Sequence, residues 1–139
     1  MSIFSQFKTN KNAEENGVIV KFKANDDGTI PSFRIGRANR NNIKWVKTVE
    51  EKFRPYQKEI DEKTITREEA NKLNLEIFVC SLLISWEHIQ GPTGTEIECN
   101  YDNAISLFTN LPDLYEKLTD VSSKMENFLE VNLKEDEKN

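Results

Sequence analysis

Few residues of this chain are of types that do chemistry, and their spacing decides what they could do. His88 is the single histidine, and Cys80 and Cys99 are the two cysteines. A thiol activated by an imidazole needs the two groups in hydrogen-bond contact. Cys80 and His88 fall in one apolar run that reads as a helix, eight residues apart. On a helix that is about 12 Å along the axis, too far for a pair. A zinc site needs convergent Cys and His ligands at short spacings, and none occur. Gly91-Pro-Thr-Gly-Thr95 has the outline of a phosphate loop, but it lacks the lysine and follows a predicted helix instead of a strand. Glu87 beside Trp86 could act as an acid if buried, yet no second carboxylate is marked as its base. The residues therefore point to a protein that is not an enzyme, with no catalytic residue, cofactor or metal site.

The elements that would position these residues follow from periodicity. Residues 1–16 are polar and aperiodic and read as a mobile segment. From Gly17 the chain alternates, with Val18, Val20 and Phe22 on one side and Ile19, Lys21 and Lys23 on the other, as in a half-buried strand. Asn25-Asp-Asp-Gly28 is a turn signal. A second strand follows, with Phe33 and Ile35 inward and Arg34 and Arg37 outward, so the front is a β-hairpin with a basic outer face. Pro31 lacks an N–H and suits a strand start or an edge. Asn41 or Asn42 can cap the next helix, whose stripe is Ile43, Val46, Val49, Phe53, Tyr56 and Ile60. Pro55 should kink or split it, and Trp45 lies off the stripe as a candidate contact residue.

Thr66-Arg-Glu-Glu69 is a capping box. The helix it opens is expected to run to about Ile89, apolar on most sides and hence the buried core helix. Glu96 to Glu98 is a possible short strand against the hairpin. Asn100 can cap a helix over Ala104, Leu107 and Phe108, and Pro112 begins another. That last helix carries Leu114, Leu118, Val121, Met125 and Phe128 at spacings of four and three, a seam for the core or for another subunit. The tail 132–139 is charged and is expected to be disordered. The fold expected is a single α+β domain over 17–131, an N-terminal β-hairpin packed on a mainly helical body with a central buried helix.

Net charge is -5 and unevenly placed. Residues 1–54 hold eleven Lys/Arg against six Asp/Glu, and residues 55–139 hold eight against eighteen. A basic front and an acidic back suit association with other proteins, including head-to-tail with a second copy. Lys21, Lys23, Arg34, Arg37, Arg40, Lys44 and Lys47 form a candidate basic face for nucleic acid, with Trp45 for stacking. The acidic remainder and the missing recognition-helix pattern weigh against that partner. No run approaches the ~20 apolar residues of a membrane span, and no signal peptide is visible, so a soluble cytosolic protein is expected.

Several motifs occur in a telling order. Leu82-Leu-Ile-Ser-Trp86-Glu-His-Ile89 is followed by Gly91 or Gly94, then Ile97-Glu-Cys-Asn-Tyr-Asp-Asn103-Ala104, Leu107, and Leu111-Pro112-Asp113-Leu114. Arg34-Ile-Gly-Arg-Ala-Asn39 lies upstream and Asn127-Phe128 downstream. Over roughly residues 17–130 this order resembles the small tail assembly chaperones of long-tailed bacteriophages. Their pattern is an apolar helix ending in Gly-Trp-Glu, a glycine turn, Glu-Asn-Ala, a Leu pair and Pro-Asp-Leu. Ser85 and Asp102 depart from it. The resemblance implies a chaperone of the host cell cytoplasm, shed before the virion matures. Its partners would be the tape measure protein, kept soluble, and the tail tube protein, recruited around it. It also implies, for many members, a longer frameshifted product.

On this reading Trp45, Leu114, Leu118, Val121 and Met125 are candidate partner-binding residues, with a homo-oligomer possible. Trp86, Glu87, Asn103, Ala104, Pro112 and Asp113 are motif residues with structural roles. A structural neck or tail component retained in the particle and a nucleic-acid binder stand as alternatives.

Overall fold

The computed structural model describes residues 1–133. Its sheet has three antiparallel strands in the order β1 (Val18–Lys21), β2 (Ser32–Ile35) and β3 (Leu83–Glu87). The expected hairpin supplies the first two. Phe22 N–H donates to Pro31 O at 2.9 Å and Asn25 N–H to Thr29 O at 2.8 Å, closing the loop between them. Gly28 sits in the turn at φ +88°, a conformation that favours glycine. Pro31 stands immediately before β2, where a missing N–H is tolerated.

The third strand corrects the sequence reading. The capping box at Thr66 and Glu69 is present and opens a helix, but that helix ends at Ile77 and not near Ile89. Over Phe78–Leu82 the turn widens to a π-helix. There the Ser81 hydroxyl donates to Ile77 O at 2.6 Å, competing with the regular ladder. Leu83 is extended, and Gly36 N–H donates to Leu82 O at 2.8 Å, drawing the chain into the sheet. Ile35 pairs with Leu83 while Arg34 pairs with Ser85, so Ile84 is an extra residue in a β-bulge. The bulge puts Leu83 and Trp86, three residues apart, both among the buried residues. That spacing is what made a strand read as a helix. Glu96 bridges to Gln90, not to the hairpin, so the short segment after the glycine turn folds back beside the end of β3.

The helices pack mainly against one another, and the sheet is met by the π-helical turn, by Phe108 against Phe33 and by the helix over Pro112–Ser123. They are α1 (Ile3–Phe7), α2 (Lys11–Asn16), α3 (Ile43–Phe53), α4 (Gln57–Asp61), α5 (Arg67–Ile77), α6 (Tyr101–Asn110) and α7 (Pro112–Ser123). A 3-10 turn at Arg54–Tyr56, with Pro55 in it, separates α3 from α4. The core is aromatic at its centre. Phe33 makes edge contacts with Phe22 and Trp86, and Phe78 makes them with Phe108 and Tyr115. Each such pair adds about 0.5–1.5 kcal/mol beyond simple burial. The mixed α+β class is as expected, with the central buried helix replaced by a shorter helix that becomes the third strand.

Residues 1–16, expected to be mobile, hold two short helices. Asn10 N–H donates to Phe128 O at 2.8 Å and Glu130 N–H to Lys8 O at 2.9 Å, tying the start of the chain to its end. Met125–Phe128 form a 3-10 turn, so α7 stops before the end of the expected seam. Of the tail expected to be disordered, 132–139, residues 132 and 133 belong to a helical turn in which Leu133 N–H donates to Leu129 O at 3.1 Å, and residues 134–139 lie outside the described residues.

Candidate functional site

An apolar groove lies where α3, α5 and α7 meet. Its position depends on how α3 starts. Asn42 is the cap, accepting from Trp45 N–H at 3.4 Å. Its own amide donates to Glu14 O at 3.0 Å and to Arg37 O at 3.1 Å, and the residue is fully buried. A cap clamped from two sides fixes the rotation of the helix. Trp45, Val49 and Phe53, at successive spacings of four, then face the groove. Ile43, expected on the inward stripe, is instead 57% exposed. Tyr115 and Thr119 of α7 and Asn74 of α5 complete the walls, around about 180 Å³ of open space. Burial pushes the Tyr115 phenol above its ordinary value. Lys52 and Glu76, 4.0 Å apart, bridge α3 and α5.

The polar support behind the cap was invisible in the sequence. Glu14 is fully buried, and Arg37 Nη1 stands 2.6 Å from its Oε2. Thr9 Oγ1 donates to Glu14 Oε1 at 3.0 Å and Asn41 Nδ2 to Oε2 at 3.3 Å. Gly36 fits against this knot because a Cβ there would stand 3.1 Å from Glu14 O and 3.2 Å from Asn42 Nδ2. Ser122 of α7 donates from Oγ to Gly36 O at 2.8 Å, joining the opposite wall to the same knot. A buried carboxylate needs a cation and further donors, but no residue spacing announces which glutamate will be buried. Arg37, expected outward on the basic face, is thereby removed from it.

The five candidate contact residues do not form one surface. Trp45 lines the groove, half-buried. Leu118 is fully buried in the core and has no surface to offer. Leu114 is half-buried and packs on the core. Val121 points to a different groove, beside β1, and Met125 lies past the end of α7. Phe53 and Tyr115 are groove residues the sequence reading did not select.

The motif residues have identifiable local roles. Trp86 Nε1 donates to Ile97 O at 2.8 Å, pinning the returning segment to β3. Asn103 Nδ2 donates to Glu98 O at 2.9 Å, and Asn100 caps α6 through Asn103 N–H. Ala104 is fully buried. Pro112 opens α7 and Asp113 lies in its first turn, where a negative charge is favoured. Glu87 is exposed on β3.

The candidate chemical residues stay apart. His88 is past the end of β3, in a left-handed conformation at φ +56°, and not at a helix end. Asn25 Nδ2 donates to its carbonyl at 2.9 Å, and its Nδ1 lies 3.3 Å from Glu96 Oε2. Cys80 is in the π-helical turn. Both cysteines are free, and burial pushes the Cys99 thiol upward. Among the described residues no cluster of three or more His, Cys, Asp or Glu could hold a metal ion. None of their helices is long and apolar enough to cross a membrane.

A family model described as YdaY prophage protein matches residues 40–139, well over half of the chain. The chain belongs to that family. It is thus a phage-related protein, and the match includes α3, α5 and α7, the three helices that form the groove. No curated protein and no solved structure matches it.

Proposed function

We propose that this prophage-family protein is a non-catalytic tail assembly chaperone. It binds the long helical tape measure protein, keeps it soluble, and helps recruit tail tube protein subunits around it. The observation that carries this reading is the apolar groove of about 180 Å³ walled by Trp45, Phe53 and Tyr115. A holdase needs no reacting group. It needs a preformed apolar cleft into which a client helix can set one or two large side chains. The order of the Trp86, Asn103 and Pro112 motifs supports the same reading by resemblance.

Co-expression with the tape measure protein of the same prophage tests it. A soluble client that co-purifies with this chain is the expected result. An unchanged insoluble client and no co-purification would remove the basis of the mechanism. Mass spectrometry of purified particles gives a second test, because abundant peptides of this chain in mature virions would favour a retained neck or tail component instead.

A further inference from the structure

Strand β1 is a free edge of the sheet. The hydrogen bond from Phe22 N–H to Pro31 O places residue 22 in a bonded pair with the neighbouring strand. The register then makes Val18–Ile35 and Val20–Phe33 bonded pairs, and Ile19–Arg34 and Lys21–Ser32 the alternating non-bonded ones. The N–H and C=O groups of Ile19 and Lys21 therefore point away from β2. Among the described residues nothing accepts from or donates to them. The opposite edge differs, because the segment around Ile97 lies across β3. Beside β1 runs a groove of about 920 Å³. One wall comes from α2 at Asn12 and Ala13, and the other from the C-terminal region at Val121 and Leu133.

We infer that this edge takes an extended partner segment as a fourth strand, one that alternates acidic and apolar residues. Main-chain groups of Ile19 and Lys21 supply the ladder bonds. The alternation follows from the two sides of the strand. On the side of Ile19, which is 53% exposed, stand the exposed Lys21 and the half-buried Arg34, a cationic side that selects carboxylates. On the other side the half-buried Val20, Val121 and Leu133 favour small apolar side chains, with the exposed Glu126 and Asn132 also lining the groove. A second copy fits poorly, since pairing two β1 edges would bring together two sets of Lys21 and Arg34, the arrangement by which natural edges avoid self-association. The chain's own last residues, Lys134-Glu-Asp-Glu-Lys-Asn139, contain no apolar residue for the inner side. The inference stands independently of the chaperone reading.

The test uses the full chain and the synthetic peptide acetyl-Val-Glu-Val-Asp-Val-Glu-amide, followed by residue-resolved amide hydrogen exchange. At saturating peptide the Ile19 and Lys21 amides should slow by about tenfold or more. An alternating Val-Lys peptide should have no effect. Lys21→Glu should weaken the acidic peptide by about tenfold, the size of one charged contact. Ile19→Pro removes an N–H that the β1–β2 ladder does not use, so the variant should fold and fail to bind. If it does not fold, two peptides N-methylated on opposite alternate residues carry the same test on the unmodified protein. One phasing should bind and the other should not, and equal binding by both would overturn the inference. Unchanged exchange at Ile19 and Lys21 would also overturn it. So would protection without peptide that rises with protein concentration, which assigns the edge to a second copy. Protection without peptide that is lost when Glu135, Asp136 and Glu137 are all changed to Lys would assign it to the chain's own end and overturn it likewise.

Discussion

Arg37→Ala is the sharpest probe of how the groove is held. In the native protein the Arg37 guanidinium, with Nη1 2.6 Å from Glu14 Oε2, is the only cation paired with that fully buried carboxylate among the described residues. Removing it leaves Glu14 with two neutral donors, Thr9 Oγ1 and Asn41 Nδ2. Breaking one half of a buried pair costs about 3–5 kcal/mol, because the remaining charge is uncompensated. A domain of this size has ~5–15 kcal/mol in all, so the loss is a large fraction. With a urea slope of ~1.5 kcal/mol/M the midpoint should fall by roughly 2–3 M. Urea unfolding followed by tryptophan fluorescence measures it, since both tryptophans pack against core residues. The companion variant Glu14→Leu/Arg37→Met removes both charges and should recover much of the loss, because the desolvation cost disappears with them. The single substitutions Glu14→Leu and Arg37→Met should therefore be strongly non-additive. A cost below ~1 kcal/mol for Arg37→Ala, or additivity within ~0.5 kcal/mol in the double variant, would refute the reasoning.

Other expectations follow from single contacts. Asn42→Ala should cost about 1–2 kcal/mol and speed amide exchange in the first turn of α3, because it removes the cap on Trp45 N–H. Phe33→Ala should cost about 3–5 kcal/mol in thermal or urea unfolding, since the ring is buried between Phe22, Trp86 and Phe108. On the proposed chaperone function, Trp45→Ala should weaken tape measure binding by about 2 kcal/mol, roughly thirtyfold, with the fold retained, as checked by pull-down beside circular dichroism. Tyr115 has a pKa raised by burial, so its contribution to stability is present below the unfolded tyrosine value near ~10 and is lost as pH rises through the folded value. Phenolate absorbance during an alkaline titration should show this tyrosine ionising late or together with unfolding.

Features decided within a few residues were legible in the chain before any fold was known. The turn at Asn25–Gly28, the capping box of Thr66 and Glu69, the cap at Asn100, a cap at Asn41 or Asn42, the break at Pro55 and the start at Pro112 are all met in the structure, which selects Asn42 of the two. Each rests on a hydrogen bond or a steric limit between near neighbours, so sequence spacing is enough to specify it.

What required the tertiary structure was the choice among patterns that local chemistry leaves equal. Leu83–Glu87 is a strand because β2 offers it a ladder and a bulge at Ile84 buries Leu83 together with Trp86. The same five residues at the end of an apolar helix would look no different on paper. Glu14 is buried because Arg37, Thr9 and Asn41 converge on it from other segments, and the α7 seam divides because Leu118 meets the core while Val121 meets the β1 groove. The groove at Trp45 belongs to the same class. It exists where three helices fail to close on one another, and no single helix carries that information.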